Sequence, residues 1–399
     1  MATTLGSGTV VSSTDRSVTV GDFTVSGDLS VTGSFATGRT ATYVIAASDS
    51  PAHVKLQADY TMPSATADVG VIIEAAKTAG YRSIHFSQGN FAASTYWNLN
   101  ATMLDIGGEG ESTIVTVSDS ADIGSLVYAT ANNFRIHDLV LDGNGSNQST
   151  CTALIRLKAN GNRVERVKIQ NTYGTTPSIM YDTGGYDWIT DCRFVDAGSL
   201  TSSTGGAPVV TEVHVSGCSF VNPVVGDTNS VIGGSVTGYF IKENRCENLA
   251  NANGVFIDPA ASVGCVVEGN IDQTNAGGSF YANGAAGLII IGNEFEEELR
   301  VDSSTNVTLL GNHYDLLTLI DVTTTERSGT WTVANGQTSV VVTHGLSFTP
   351  VAGDIAIGFS SLGNSASCYI DTYTATQFTV HVNADPGAAT ATGWWKASR

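Results

Sequence analysis

The sequence predicts an all-β chain centred on a parallel β-helix, and three observations lead there. The first is a repeat. Ile136-His-Asp-Leu-Val-Leu141, Val164-Glu-Arg-Val-Lys-Ile169, Ile189-Thr-Asp-Cys-Arg-Phe194 and five later units share one pattern. Aligned on the fourth residue, they fall at Leu139, Val167, Cys192, Cys218, Asn244, Asn270, Asn293 and Asn312, in steps of 28, 25, 26, 26, 26, 23 and 19 residues. Self-similarity at this period marks a solenoid or a propeller. The second is the make-up of a unit: two short β-branched runs separated by a Gly, Asn or Asp turn, with no helical pattern between them, which disfavours βαβ units. A WD40 blade takes about 40–45 residues, so these units are too short for a propeller. The third is composition, with 44 Gly and only 14% charged residues, as suits a turn-rich β-protein.

Coils of such a helix stack at about 4.8 Å, so a given slot recurs in register along the axis. The run Asn244, Asn270, Asn293 and Asn312 then reads as a row of inward amides, bonded to one another and to the turn backbone. Cys192 and Cys218 fill the same slot one coil apart. The six cysteines form no CxxC and have no nearby histidine cluster, so they read as buried free thiols and not as a zinc site. No metal or cofactor is expected.

The formal charge is −19 with 18 basic residues. That argues against nucleic-acid binding, which rests on Lys and Arg. No run of about 18 apolar residues exists, so no membrane insertion is expected. The opening Met-Ala-Thr-Thr-Leu-Gly has neither the basic nor the apolar region of a signal peptide, and the expectation is a protein folded in a cytoplasm.

Taken in order, residues 1–45 alternate apolar and small polar residues with frequent Gly. They read as strand that cannot bury a core alone, hence as an oligomerising and attachment stem. Residues 67–80 hold the one convincing helix: Val69, Ile72, Ile73 and Ala76 share a face, Thr66 or Asp68 can cap it, and Gly80 suits its end. A solenoid end exposes strand edges and core, and this helix is the expected plug. Residues 46–325 are assigned to the β-helix. Asp321–Glu326 reads as a linker, and the alternating runs of 326–399, separated by turn signals, read as a small β-sandwich.

The helix, a short turn and Ile84-His-Phe-Ser-Gln-Gly-Asn-Phe91 resemble the opening of pectate-lyase-like right-handed β-helix proteins. Ile106-Gly-Gly-Glu-Gly-Glu-Ser-Thr-Ile114 and Phe134-Arg-Ile-His-Asp-Leu-Val-Leu-Asp-Gly-Asn-Gly145 resemble the next coils. The match spans roughly 66–320 and departs in having Ser87 for the usual Pro. Gly336–Pro350 and the terminal Trp394-Trp395 are similar to C-terminal modules of phage fibres and spikes. The resemblance implies a right-handed helix and a virion spike or fibre on the particle surface. It also implies a homotrimer joined to other virion proteins through its N-terminus and adhering to host-surface polysaccharide. One fold hosts many functions, so it does not settle activity.

The alternative is a polysaccharide depolymerase. Glycoside hydrolysis uses two carboxylates, one with a raised pKa. Asp187, Asp191 and Asp258 are the candidates, from a set that includes Asp182, Asp196, Asp227 and Glu296–Glu298. Turn formation competes at each, since Asp beside Gly and Thr makes turns. The Asn-Thr-Asp, Asp-Asp and Arg-x-x-x-Arg signatures of pectinases are absent, and the only His-Gly, at His344, lies outside the coils. Candidate glycan-stacking aromatics are Tyr181, Tyr186, Trp188, Tyr239 and Trp395. Subunit packing would draw on Val209, Val210, Val224 and Val225.

Overall fold

The computed structural model describes residues 39–202, 210–226, 230–273, 276–320, 324–346 and 348–398; the expected stem, up to residue 38, lies outside them. The described chain is a three-faced parallel β-helix followed by a C-terminal β-module. On the first face, inward residues pair coil to coil in the order Ile84, Ile106, Ile136, Val164, Ile189, Val215, Ile241, Val267, Ile290 and Leu309. Every one is 0–3% exposed. The second face carries inward Ile169, Phe194, Phe220 and Cys246 in register, with Phe194 and Phe220 stacked at 4.6 Å. The third face starts at Trp97–Leu99 and Val127–Ala129 and continues through ten parallel strands. Like residues stack on like because the strand spacing suits flat rings and branched aliphatic chains alike.

The chain bends from first to second face at the residue before each repeat anchor. Asp138, Arg166, Asp191, Gly217, Glu243, Gly269, Gly292 and Gly311 there have φ between 51° and 65°. An L-residue pays about 1–2 kcal/mol for this left-handed conformation and Gly does not, which accounts for Gly at four of the eight bends. Behind the bend, Asn244 Nδ2 donates to Asn270 Oδ1 (3.0 Å), Asn270 Nδ2 to Asn293 Oδ1 (2.9 Å) and Asn293 Nδ2 to Asn312 Oδ1 (2.8 Å). Each carboxamide oxygen also accepts the backbone N–H of the preceding coil's residue in the same slot, beginning with Cys218. Cys192 and Cys218 are buried free thiols in that slot.

Arg39–Ala46 is a strand of the first face, pairing Ile45 with Phe86. The stem boundary expected at residue 45 therefore falls inside a β-helix strand. The short helix α1, Ala52–Gln57, was not foreseen; none of its six residues is buried, so it leaves no apolar periodicity. Helix α2, Val69–Thr78, is capped by Asp68 rather than Thr66, the carboxylate accepting from Gly70 N at 3.0 Å. The same carboxylate receives Ser94 N and Thr95 Oγ1, tying the helix to the following coil. Val69, Ile73 and Ala76 join Ile45, Ile84 and Phe86 in the solenoid core.

At the other end, Thr324–Val333 begins as a coil strand, pairing Leu309 with Arg327 in parallel. It then runs antiparallel to Ala391–Ser398. A single strand thus crosses the boundary expected at 325/326, and residues 324–326 are strand, not linker. That strand, Ala391–Ser398 and Ile355–Ser361 form one sheet. Ser339–Thr343, Gln377–Val382 and Cys368–Asp371 form another, and both contribute to a core that holds Trp331, Val342, Phe378, Val380 and Trp395. Arg327 is buried and donates to His344 O at 2.8 Å and to Tyr314 Oη at 3.2 Å, linking the module to the last coil. His344 Nδ1 accepts from Leu346 N, so this imidazole anchors a turn.

Candidate functional site

Outward side chains follow the same register as inward ones. One outward row of the first face reads Asp105, Arg135, Arg163, Trp188, His214, Phe240. Trp188 and His214 stack at 5.6 Å with 15° between their planes, and His214 and Phe240 at 4.5 Å with 9°. The Arg163 guanidinium lies over the Trp188 ring at 5.1 Å. Arg163 and His214 come from the coils on either side of Trp188, so both faces of that indole are covered within the chain.

Beside this row a groove of about 630 Å³ crosses four coils. Its lining includes Asp105, Asn132, Arg135, Asn160, Arg163, Tyr186 and Trp188. The turns that enter the first-face strands form its wall, held by Met103 N to Asn132 O, Asn133 N to Asn160 O and Gly161 N to Gly185 O at 2.8–3.1 Å. Tyr186 is 50% exposed on the groove and adopts φ 58°. Its neighbour Gly185 has no room for a Cβ, which would come within 1.9 Å of Thr211 O. The glycine thus lets the backbone kink and turn Tyr186 outward.

The groove's charges are largely engaged. Arg135 Nε and Nη2 both donate to Glu165 Oε2, at 2.9 and 2.7 Å. His137 lies 3.3 Å from Asp105 and 2.7 Å from Asp138. The Asp105 contact, opposed by partial burial and aided by Asp138, raises the His137 pKa. The same contact with His137 holds Asp105 below the usual carboxylate range, and Arg166 holds Asp138 down at about 2. Both shifts run opposite to the raised carboxyl pKa that a general acid needs.

The expected catalytic carboxylates do not assemble on a surface. Asp187 points inward and is 0% exposed; its Oδ1 accepts from Asn162 N at 3.0 Å and Asn162 Nδ2 at 2.9 Å. Burial pushes its pKa up to about 7 against those hydrogen bonds. Asp258 is half-buried at the end of a third-face strand, and burial likewise raises it to about 7. Asp191 is exposed at the left-handed bend between first and second faces, where it makes the turn. Asp187 thus lies inside the coils and Asp258 is half-buried, whereas a polysaccharide would meet the outside.

Of the expected stacking aromatics only Tyr186 keeps an open ring. Tyr181 and Tyr239 are 0% exposed, with their hydroxyls 2.6 Å apart inside the solenoid. They cannot stack on an external sugar; their inward position follows from strand parity. Trp188 has both faces occupied. Trp395 is 3% exposed and packs edge-on against Phe378 at 5.3 Å, whereas Trp394, on the opposite face of the strand, is 50% exposed. Trp394 lines a second groove of about 870 Å³, between the last coil and the module, with His313, Tyr314 and Lys396. Sequence reasoning missed Arg163, His214 and Phe240, although 163, 188, 214 and 240 are spaced like the repeat itself. Val210 and Val225 are buried in the solenoid core and offer nothing to a subunit contact; Val224 is 37% exposed, and Val209 lies outside the described residues.

No protein-family model and no curated protein matches the chain. Among solved structures, ORF18 of Geobacillus virus E2 aligns at a TM-score of 0.45 with 11% identity, over 82% of this chain and 75% of that one. The tailspike protein gp49 from Pseudomonas phage LKA1 aligns at 0.32 with 8% identity, over 82% of this chain and 91% of that one. A mutant tailspike protein of E. coli bacteriophage HK620, in complex with a pentasaccharide, aligns at 0.39 with 10% identity, over 80% and 69% of the two chains. The fold assignment here rests on the strand register itself.

Proposed function

We propose that this chain is a virion spike or fibre that adheres to host-surface glycan through the groove beside Tyr186. The observation that carries the reading is an open surface groove with one exposed aromatic ring, a fixed guanidinium beside it, and amide and backbone groups along its wall. Protein sugar sites combine an apolar platform with a few well-placed polar groups in this way. The resemblance of the coils and of the C-terminal module to phage spikes supplies the virion setting. Under the same reading the chain is a homotrimer attached to other virion proteins through its N-terminal segment. Light scattering on the full chain would then return three times the 41.4 kDa chain mass, and a monomer mass would remove the trimer.

The test of adhesion is binding of the purified protein to an array of bacterial capsular and O-antigen polysaccharides. Tyr186→Asn removes the ring while tolerating the left-handed backbone. It should cost most of the binding, while Trp394→Ala in the second groove should leave it intact. Undiminished binding by Tyr186→Asn would overturn the assignment. Depolymerisation is the second reading, disfavoured by the inward Asp187 and the lowered pKa of Asp105; new reducing ends or unsaturated sugars released from a bound polysaccharide would put it first.

A further inference from the structure

We infer that the groove selects a carboxylate-bearing glycan, with Arg163 as the group that receives the carboxylate. The inference rests on the glycan-binding reading above and narrows it. Seven of the chain's 18 basic residues fall between 135 and 193, although the net charge is −19. Five of them, Arg135, Arg163, Arg166, Lys168 and Arg193, occupy adjoining strands of the first and second faces. Two of them, Arg135 and Arg163, line the groove.

Most of those cations are already committed. Arg135 gives two donors to one oxygen of Glu165. Arg166 makes a two-point contact with Asp138, at 2.6 and 2.7 Å. Lys168 and Arg193 share the exposed Glu111, at 3.6 and 3.7 Å. Arg163 differs. Its nearest anion is Glu165 Oε1 at 3.8 Å, belonging to a carboxylate whose other oxygen Arg135 holds. Among the described residues its side chain makes no hydrogen bond, and it is 53% exposed.

Arg163 is nonetheless fixed in place. A cation–π contact restrains it, its Cζ lying 5.1 Å from the centre of the Trp188 ring, and His214 and Phe240 support the indole from behind. A guanidinium held over an aromatic ring with its N–H donors unused suits two-point recognition of a carboxylate. Trp188 is on this account a positioning residue. Tyr186 supplies the face for the sugar ring, and Asn132 and Asn160 line the same wall. The ligand class is a polysaccharide carrying uronate, sialate-like or pyruvyl carboxylates.

The experiment uses the full chain on an array that carries neutral and carboxylate-bearing bacterial polysaccharides, then the best-bound polysaccharide before and after chemical reduction of its carboxyl groups. Binding should concentrate on carboxylate-bearing spots, weaken at least tenfold on carboxyl reduction, and weaken similarly in Arg163→Gln. Arg163→Gln should show no further loss on the reduced glycan, which a merely structural role would not produce. Binding confined to neutral glycans, or equal affinity for native and reduced forms, would overturn the inference while Tyr186→Asn still tests the groove. Binding by no spot, or binding indifferent to Tyr186→Asn, would overturn the groove and this inference together.

Discussion

Replacing Asn270 by alanine tests the buried amide row at its most enclosed position. Asn270 is 0% exposed. Its Nδ2 faces Asn293 Oδ1 at 2.9 Å, Ile241 O at 3.0 Å and Glu268 O at 3.2 Å; its Oδ1 accepts from Asn244 N and Asn244 Nδ2, both at 3.0 Å. The two amide protons and the oxygen account for about four hydrogen bonds, each worth about 1 kcal/mol net. The Asn244 N–H, left unpaired away from water, adds about 1–3 kcal/mol. The expected loss is therefore about 5–7 kcal/mol, a large part of the stability of an ordinary domain. Asn312 is the control. It ends the row half-buried, accepting from Asn293 N and Nδ2 and donating to Ile290 O. Water can replace its partners there, so Asn312→Ala should cost about 1–2 kcal/mol. Urea unfolding of both variants, comparing midpoints at equal slope, measures the difference. If Asn270→Ala loses less than about 1 kcal/mol, or no more than Asn312→Ala, the row is not a cooperative support and the reasoning fails.

Further expectations concern acid, thiols and the module joint. Asp187 and Asp258 have folded pKa values raised to about 7 from 3.8, so between those limits the folded state holds protons that the unfolded state has released. Each should therefore make stability fall as pH rises from about 4 to 7, by up to about 1.4 kcal/mol per pH unit, with no contribution below that range and a levelling above it. Asp187→Asn should flatten its share of that slope, and an unchanged slope in urea midpoints from pH 5 to 8 would refute it. Cys192, Cys218, Cys246 and Cys265 are buried while Cys151 and Cys368 are partly accessible. Ellman's reagent should thus reach at most those two before unfolding and all six after; a native 192–218 disulfide by mass spectrometry would contradict this. Arg327→Ala removes two hydrogen bonds from a buried cation, to His344 O and Tyr314 Oη, and should lower stability by about 2–4 kcal/mol; a thermal midpoint within a degree of the parent would show that the joint is held by other contacts.

The coil length, the anchor slot and the asparagine row were readable because stacking makes each slot recur once per coil, and that recurrence is a spacing in the sequence. The direction of an aromatic ring was not. Tyr181 and Tyr186 lie on different strands, Ile179–Tyr181 and Gly184–Thr190, with a turn and the kink at the left-handed Tyr186 between them, so alternation counted from one does not fix the other. A Gly-Gly pair ahead of an alternating run was the available sign of that kink. Trp394 and Trp395, adjacent on one strand, must face opposite ways, but nothing local says which side of a sheet meets the core. Arg39–Ala46 was hidden for another reason: its partner is Tyr81–Phe86, some forty residues later, and a strand pairing over that distance leaves no periodic trace. The site itself was half visible, since Tyr186 could be nominated, whereas nothing in the sequence sets Arg163 apart from the other basic residues around it.

Each rung of this solenoid touches only the rungs above and below it, and those around residues 218 to 270 repeat every 26 residues. Excising a stretch such as 245–270 would bring Asn244 against Ile271 with every inward and outward row still aligned, shortening the rod by about 4.8 Å. The groove occupies residues 103–188, upstream of that stretch. Reach and recognition can therefore change separately in such a chain, the first by whole-coil insertion or loss and the second by single substitutions.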